Sequence, residues 1–380
     1  MLSKPCYLSF AGGYIVAPNS ANPSASRFTR KHWIGLTLLV LVAAGVWALR
    51  QKAKSFQWDI FFSTIRGLDW RWMTVAIALI LLTYFGRAIR WEVMIRPIRP
   101  RASVWYLFKA TAIGFTAIVL FGRAGELVRP YLIAKHEQLP FSSQMAVWLI
   151  ERIFDLLMVL LIFGAALTQV SNTAVADSPA LQWILDIGGW VAAGAALVSL
   201  IVLIAFRHFT EAAHERLLAA LGFLPPKVLD RVRNLLSSFS AGMGSTRDNA
   251  FALRLLVYTF VEWSLVAASF LAIFRAFPET SNLGWNSVLV FMGFVSFGSA
   301  IQIPGIGGGM QIAAVVVLTE LFGLGLEVST GLAVVFWATS FVVIVPFGLG
   351  LAVHEGIKVG NLRQLAAEAT TAAPAEGDAK

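Results

Sequence analysis

The sequence predicts an all-α polytopic membrane protein with about six full spans and two re-entrant half-helix hairpins, arranged as an inverted repeat. Hydrophobic residues make up 58% of the 380 residues and charged residues only 13%, which is too little charge to cover a soluble surface. Apolar runs recur that are long enough, or nearly so, to cross about 30 Å of hydrocarbon as helix. Two further apolar stretches are interrupted by glycine-rich segments.

Six uninterrupted apolar runs are the predicted full spans. They are 33–48, 72–95, 146–169, 184–206, 252–277 and 331–353. Tryptophans near several of their ends are typical of an interfacial aromatic belt. The transmembrane domain is therefore expected at 32–357, between a disordered leader (1–31) without a cleavable signal peptide and a disordered tail (358–380).

The interrupted stretches are predicted to be hairpins. One breaks at Gly122 and Gly125, the other from Pro304 onward, and each break leaves an apolar piece of about a dozen residues, which is short for a span. Broken backbone is tolerated at membrane depth only where protein or a wet cavity satisfies it. Two halves of opposite orientation, about 32–170 and 183–357, indicate an alternating-access transporter whose site lies where the breaks meet. Chance similarity between apolar sequences is the alternative.

The placement of Lys and Arg predicts the orientation. The loops 170–182 and 278–284 contain neither residue and are expected outside, whereas the basic connection 207–251 is expected inside. Both termini are then expected to be cytoplasmic. The segment 227–239 is amphipathic and either lies on the cytoplasmic leaflet or packs on protein. The basic loop 50–71 falls outside, against the rule.

Charged residues at membrane depth are the main functional candidates. They are Arg123, Glu126, Arg129, Glu151, Arg152 and Asp155. A lone charge at this depth costs about 3 to well over 10 kcal/mol, so such residues pair or face a wet cavity. Two acids on the span match two arginines on the hairpin.

These six residues are therefore predicted to bind substrate. Arg123 and Arg129 are expected to bind phosphate oxygens with two prongs each, while the acids hold them in the empty site or carry a proton. The alternative is an ion-pair cluster that only pins the hairpin to the span, although buried pairs contribute little net stability.

The second break adds backbone candidates to the substrate site. Gly305, Gly307, Gly308 and Gln311 flank a half-helix expected to start near Gly309, whose positive end attracts an anion. The alternative is a plain helix break with glycines for close packing.

Three charged residues remain outside these sets. Glu262 lies alone in a span, either as a further partner of the charges or as a proton carrier. Arg87 and Arg90, near a span end, are interpreted as snorkelling to the interface.

The expected partners are lipids. Basic residues lie between apolar runs and form no continuous patch, which favours anionic lipid at the cytoplasmic face over nucleic acid. Cys6 is the single cysteine, and no metal cluster or Ser/His/Asp arrangement is evident, so we expect no metal and no cofactor.

Several motifs resemble one known family. GRAGELVR at 122–129, ERIFD at 151–155 and PGIGG at 304–308, with DWRW at 69–72 and RAIRW at 87–91, resemble the flippase-like transmembrane family of lysylphosphatidylglycerol synthetases. The likeness covers about 37–355. It implies a plasma (inner) membrane protein that moves, or helps to move, a membrane phospholipid or lipid-linked substrate between leaflets.

Two positions depart from the family pattern. Phe121 stands where the family often has Pro, and Gln311 where it often has an acid, which puts an acid-dependent role there in doubt. Nothing after Val353 is expected to fold into the lysyl-transferring domain, so this chain alone is not expected to aminoacylate lipid.

Three functions remain open at this point. The leading one is a lipid flippase-like transporter that holds an anionic headgroup while the acyl chains stay in lipid. A membrane enzyme that modifies a lipid headgroup or glycolipid, with Glu126, Glu151 or Asp155 as general base, is the second. An accessory subunit of cell-envelope glycolipid synthesis is the third.

Overall fold

The computed structural model describes residues 56–167, 249–299, 302–303 and 307–357, together with four single helical residues between 190 and 201. The predicted leader, the predicted span 33–48, nearly all of 184–206 and of the connection 207–251, and the tail lie outside the described residues. Predictions for those segments stay predictions.

The described chain is helical apart from one two-residue strand pair, which confirms the predicted fold class. The first part consists of α1 (Trp58–Arg66), α2 (Trp70–Ile95), α3 (Val104–Phe121), a 3₁₀ segment (Gly122–Leu127), α4 (Val128–Glu137) and α5 (Phe141–Leu167). The second part consists of α6 (Asn249–Ala276), a 3₁₀ turn (Pro278–Thr280), α7 (Trp285–Gly298), β1 (Gln302–Ile303), β2 (Gly307–Gly308), α8 (Gly309–Val316), a π-helical turn (Val317–Leu321), α9 (Leu326–Trp337), a second π-helical turn (Ala338–Val342) and α10 (Ile344–His354).

Four helical stretches of the described chain are long and apolar enough to cross a membrane. They are Trp70–Ile95, Val104–Glu137, Ala250–Ala276 and Leu326–His354. Helix α5 has 27 residues and the length to span, and it carries three charged residues in its middle. Helix α2 starts two residues before its predicted span, because the Asp69 side chain accepts a hydrogen bond from the backbone N–H of Arg71 in the first turn.

The stretch Val104–Glu137 is not one straight helix but a hairpin of α3 and α4. Near its open end, the Tyr106 hydroxyl donates to the carbonyl of Leu132 (3.2 Å) and its ring stacks on His136 (3.4 Å between centroids). The backbone reverses at Gly122, whose φ of 65° suits glycine. Beyond the reversal, Gly125 lies so close to the backbone of Ala117 that no side chain fits between them.

A second hairpin is formed by α7 and α8. Its tip is the antiparallel pair of β1 and β2, in which Gln302 pairs with Gly308 and Ile303 with Gly307. Helix α8 starts at Gly309, as the sequence predicts, and Gly298 of α7 packs directly on the Gly309 carbonyl.

The two hairpins open toward opposite ends of the bundle. Helices α2 and α6 run antiparallel, since the Asp69 N–H donates to the Ala276 carbonyl (2.8 Å) and the Ser269 hydroxyl to the Ala76 carbonyl (3.0 Å). The first hairpin opens where α2 ends, which we call the Ile95 end. The second hairpin opens where α6 ends, which we call the Ala276 end. Their tips touch inside the bundle, where β1 contacts the 3₁₀ segment.

The spans after the hairpins pack reciprocally. Helix α5 packs on α7, where Gly293 contacts Phe163 and Ala166, and α10 packs on α3, where Gly348 contacts Thr116. The two contacts are equivalent, because in each half the span after the hairpin packs on the first arm of the other half's hairpin. Two inverted repeats require this correspondence. The repeat itself stays a prediction, because 168–248 lie almost wholly outside the described residues.

The apolar core follows the same division. A cluster of phenylalanines fills the Ala276 end, with centroid distances of 4.5 Å between Phe291 and Phe336 and 5.3 Å between Phe274 and Phe291. A second cluster, centred on Trp91, packs around the first hairpin near the Ile95 end. The Lys109 ammonium joins α3 to the end of α10 by donating to Glu355 (2.6 Å), and this hydrogen bond lowers the pKa of Glu355 below its usual value.

Helix α1 was not predicted, because the basic segment 50–71 reads as a loop. Its Phe61, Thr64 and Ile65 pack on Gly331 of α9, whereas Trp58 and Phe62 are half exposed. Nine residues with aromatics on one side form a surface helix too short for a span.

Gly348 and Gly350 test the packing of α10 on α3. A methyl group at Gly348 would overlap Thr116, whereas one at Gly350 meets nothing within 4 Å. We expect Gly348→Ala to destabilise the protein by about 1–3 kcal/mol through overpacking. Gly350→Ala should leave stability unchanged or slightly higher. Thermal unfolding of both variants in detergent measures this, and equal midpoints would contradict the packing described.

Candidate functional site

Seven charged side chains meet inside the bundle between α2, α4, α5 and α6. We call them the arginine cluster: Arg87, Arg90, Arg129, Glu151, Arg152, Asp155 and Glu262. Asp155 lies fourteen residues into α5 and Glu262 thirteen into α6, which is about 20 Å from the helix starts. The cluster is therefore deep in the bundle, far from both ends.

Arg90 is the centre of the cluster and is completely buried. One terminal nitrogen donates to Asp155 (2.7 Å) and to the Thr259 hydroxyl (3.1 Å), and the other donates to Glu151 (2.8 Å). Glu262 lies 3.4 Å away. The planar guanidinium thus links α2 to α5 and α6 with hydrogen bonds that an ammonium group would not reproduce.

Arg129 ties the first hairpin to the same acids. At the second position of α4, it donates to Glu151 (3.0 Å) and to the backbone carbonyl of Arg87 (3.0 Å). Its guanidinium lies 4.0 Å over the ring of Trp91, a cation–π contact. The contact between a hairpin arginine and a span acid, expected from the sequence, is present.

Arg87 is the third arginine of the core. It contacts Glu262 (2.6 Å) and lies 3.8 Å from Asp155, with its guanidinium 5.1 Å over Phe115. The interpretation of Arg87 and Arg90 as snorkelling residues is wrong, because α5 and α6 cover this part of α2. The sequence contained one sign that these arginines are buried. Glu262 is a third acid in the middle of a span, and the predicted pairs left it without a cation.

Arg152 and Arg123 differ in placement. Arg152 contacts Asp155 (3.0 Å) and Glu151 (3.3 Å) from the edge of the cluster. Arg123 pairs with Glu126 (3.0 Å) at the hairpin tip, and 64% of its side chain is exposed. Of the two hairpin arginines expected to pair with the acids of α5, Arg129 does so, whereas Arg123 pairs with Glu126. The 3₁₀ segment ends before Arg129, so the single α-helical face expected for the three residues does not form.

The cluster carries more positive than negative charge. Four guanidiniums face three carboxylates among its described members, so full ionisation leaves a net charge of +1. The Nε–H groups of Arg90, Arg129 and Arg152 are buried without a hydrogen-bond partner among the described residues. An excess of cationic donors at this depth favours an anion.

A cavity of about 130 Å³ adjoins the cluster. It lies between α2, α6, the two arms of the second hairpin and the π-helical turn at Ala338–Val342, with Phe115 of the first hairpin at its wall. Arg87 is the one cluster member among the described residues lining it. The cluster's charge therefore reaches the cavity through this side chain.

The second break is only partly described. The Gln311 side-chain oxygen accepts from the Gly308 N–H (2.7 Å) and so caps the start of α8. The amide thus supplies the acceptor that an acid would supply there, without the charge. Gly307 pairs within the strand ladder. Pro304 and Gly305 lie outside the described residues, and the roles of these residues in binding substrate stay predictions.

Glu151 tests how far the cluster depends on pairing. It is fully buried and contacts three arginines, so Glu151→Gln leaves guanidiniums without their counter-charge. We expect a loss of about 3–5 kcal/mol of stability. Glu126→Gln, whose partner Arg123 is exposed, should cost about 0–1 kcal/mol. The thermal midpoints of both variants in detergent measure the difference, and a Glu151 variant as stable as its Glu126 control would contradict the arrangement.

The chain is similar to a glycosyltransferase and to a family of membrane proteins. The glycosyltransferase AglD of Haloferax volcanii is 27% identical over 128 residues, which is 33% of this chain and 20% of that protein. The chain thus spans about a fifth of the length of that relative. No solved structure matches this chain. Residues 33–348, which include the whole arginine cluster and both hairpins, match the family described as the lysylphosphatidylglycerol synthase TM region. The chain belongs to this family of multi-pass membrane proteins.

Proposed function

We propose that this protein is a flippase-like transporter that moves a lipid with an anionic, phosphate-bearing headgroup between the leaflets of the plasma (inner) membrane. The observation that carries the proposal is Arg87, which joins a cluster of net positive charge to a cavity between two opposed hairpins. Membership in a lipid-related membrane family supports it.

The size of the cavity fits a headgroup and not a whole lipid. Pockets that enclose drug-sized molecules measure about 300–1,000 Å³, whereas this cavity measures about 130 Å³. The acyl chains then remain in the bilayer while the headgroup enters the protein. Exposed apolar side chains along one side of α6, such as Leu253, Val257 and Phe260, suit contact with hydrocarbon.

Arg87 acts as the residue that changes partner. Glu262 holds it (2.6 Å), and a phosphate entering the cavity takes the place of Glu262. Arg90 keeps Asp155 and Glu151 in position during this exchange, because it binds both acids and is fully buried. Arg129 and Arg152 add positive charge nearby.

The hairpins provide the two access routes. Since they open at opposite ends and touch at their tips, movement of one against the other exposes the cavity to alternate sides. The tip groups predicted from the sequence, Arg123 with Glu126 and the glycines 307 and 308 beside Gln311, lie along these routes and supply transient contacts.

A role as an accessory subunit in cell-envelope glycolipid synthesis is the second candidate. The observation that favours it is the stretch shared with a glycosyltransferase. Liposomes that contain this protein alone separate the two functions, because an accessory subunit moves no lipid without its enzyme.

Arg87 tests the transport mechanism. We expect Arg87→Gln to slow translocation of fluorescent phosphatidylglycerol in liposomes about 10- to 100-fold, the value of a charge-assisted hydrogen bond. Arg87→Lys should lose less, because it keeps the charge but not the planar donor pair. The matched control is Arg71→Gln, at the exposed start of the same helix. Native transport by the Arg87→Gln protein would refute the mechanism.

Thiol labelling tests the proposed orientation. In a Cys6→Ser background, a cysteine at Ser281, at the Ala276 end, should react with a membrane-impermeant reagent added outside. One at Arg101, in the exposed α2–α3 connection at the Ile95 end, should react only after the membrane is permeabilised. These outcomes follow from the loop charges, since Arg96, Arg99 and Arg101 lie at the Ile95 end. The reverse labelling pattern would invert the topology.

A further inference from the structure

Glu262 is the least firmly held of the three acids in the arginine cluster. Its side chain is 2% exposed and contacts Arg87 (2.6 Å) and Arg90 (3.4 Å). Neither of its oxygens accepts a well-directed hydrogen bond from the described residues. Glu151 and Asp155, in contrast, accept hydrogen bonds of 2.8 and 2.7 Å from Arg90. Glu262 therefore depends on two ion contacts to remain ionised at this depth.

Arg87 is the contact that Glu262 can lose. Arg90 keeps its place, because its terminal nitrogens donate to both acids of α5 and to the Thr259 hydroxyl. Arg87 lines the cavity, and 14% of its side chain is exposed. A phosphate that enters the cavity reaches Arg87 first and competes with Glu262 for its guanidinium.

Four charged groups face Glu262 among the described residues. They are Arg87 and Arg90 of α2 and Glu151 and Asp155 of α5. Helix α7, which also packs on α6, contains no charged residue. Once a phosphate has taken Arg87, the carboxylate of Glu262 is left with two acids and with an arginine that those acids already hold. Repulsion from the two acids then acts against its charge.

The net charge of the cluster shows how this repulsion is relieved. Its seven charged members sum to +1 when all are ionised, so a singly charged phosphodiester brings the sum to zero. One proton on Glu262 restores +1, which is the charge of the cluster without the phosphate. A buried carboxylate that has lost its main cation becomes neutral in this way, because an unpaired charge is too costly away from water.

The cavity gives the proton a route to Glu262. Trp263, the next residue along α6, lines the cavity together with Arg87. A volume of about 130 Å³ has room for several water molecules. When Arg87 turns toward a phosphate in the cavity, the carboxylate that it covered becomes accessible to this water.

We propose that Glu262 is a proton-binding site, and that the protein moves one proton together with each phosphate-bearing headgroup. As a phosphate oxygen takes the guanidinium of Arg87, an oxygen of Glu262 takes a proton from water. When the headgroup leaves, Arg87 returns to Glu262 and the proton passes back to water. A singly charged phosphodiester and a proton thus cross without net charge. The inference rests on the proposed function for the phosphate position, but proton uptake on binding does not require transport.

Proton uptake by the full-length protein in detergent tests the site. The probe is dihexanoyl phosphatidylglycerol, whose phosphodiester stays ionised over the pH range used. In weakly buffered solution with an indicator dye, we expect uptake of about one proton for each probe bound. The Kd should rise about 10-fold for each unit of pH, because binding consumes the proton. Dihexanoylglycerol, which lacks the phosphate, should cause no uptake. No uptake with the phosphate probe, or a Kd independent of pH, overturns the proposal.

Variants locate the proton. Glu262→Gln carries no titratable group and frees Arg87, so it should bind the probe at least as tightly as the native protein, with the same Kd at every pH and no proton uptake. Glu92→Gln is the matched control. Glu92 is also a buried glutamate, but it pairs with Arg96 (2.8 Å) near the Ile95 end, so this variant should still take up about one proton. Uptake that persists in Glu262→Gln places the proton elsewhere and refutes the site.

Infrared difference spectra provide a readout that does not depend on the folding of Glu262→Gln. When the probe binds, the native protein should gain the C=O band of a protonated carboxyl group. Glu262→Asp keeps the acid and should shift the frequency of this band, whereas Glu92→Asp should leave it in place. A band that is absent from the native protein, or unmoved in Glu262→Asp, contradicts protonation of Glu262.

Liposomes separate this inference from the proposed function. With the membrane potential held at zero by potassium and valinomycin, a gradient of about one pH unit should concentrate fluorescent phosphatidylglycerol about 10-fold in the leaflet on the alkaline side. A potential without a pH gradient should produce no such asymmetry. Asymmetry that follows the potential alone supports transport and refutes the coupling to protons. Proton uptake on binding without translocation supports the site and refutes transport, and the absence of both refutes both.

Discussion

A guanidinium group buried at membrane depth has to be surrounded by carboxylates, and this requirement holds the centre of the protein together. Arg90 is completely enclosed, and its acids come from two helices, with Glu151 and Asp155 on α5 and Glu262 on α6. None of these helices can move away from α2 alone without leaving a charge unpaired in a medium of low dielectric constant. Arg129 extends the constraint to the first hairpin through Glu151. The cluster thus holds α2, α4, α5 and α6 in position relative to one another. Among its three innermost arginines, Arg87 is the most exposed.

Glycine provides the second constraint, because the hairpins require backbones in direct contact. Gly125 rests on Ala117 within the first hairpin, and Gly298 rests on Gly309 within the second. A side chain at either position would push the paired segments of that hairpin apart and would disturb the contact between the two hairpin tips. The cavity lies between α2, α6 and the second hairpin, with Phe115 of the first hairpin at its wall. Charge pairing therefore sets the position of the helices, and close glycine packing sets the shape of the site.

Much of this arrangement follows from the sequence, and the remainder depends on contacts between distant segments. Run length and glycine breaks predicted α2, α5, α6, both hairpins and the start of α8, since these properties act locally. Matching acids to arginines predicted that Glu151 or Asp155 contacts Arg123 or Arg129, and the contact found is between Arg129 and Glu151. The same counting missed Arg90, whose burial depends on α6 covering it, and misplaced Arg123, which the 3₁₀ segment directs to the tip. Helix α1 was missed because its apolar side is hidden among basic residues in a stretch too short to span.

The π-helical turn at Ala338–Val342 imposes a length constraint on the last span. It turns the Ser340 carbonyl toward the Tyr84 hydroxyl, while eight residues later Gly348 lies against Thr116 of α3. Removing one residue from the α-helical turns between Ser340 and Gly348 would rotate everything beyond it by about 100°. The neighbouring Phe347 or Leu349 would then face α3 where only glycine fits. Related chains can therefore vary the lengths of their loops, but insertions and deletions between these two positions should be absent from them.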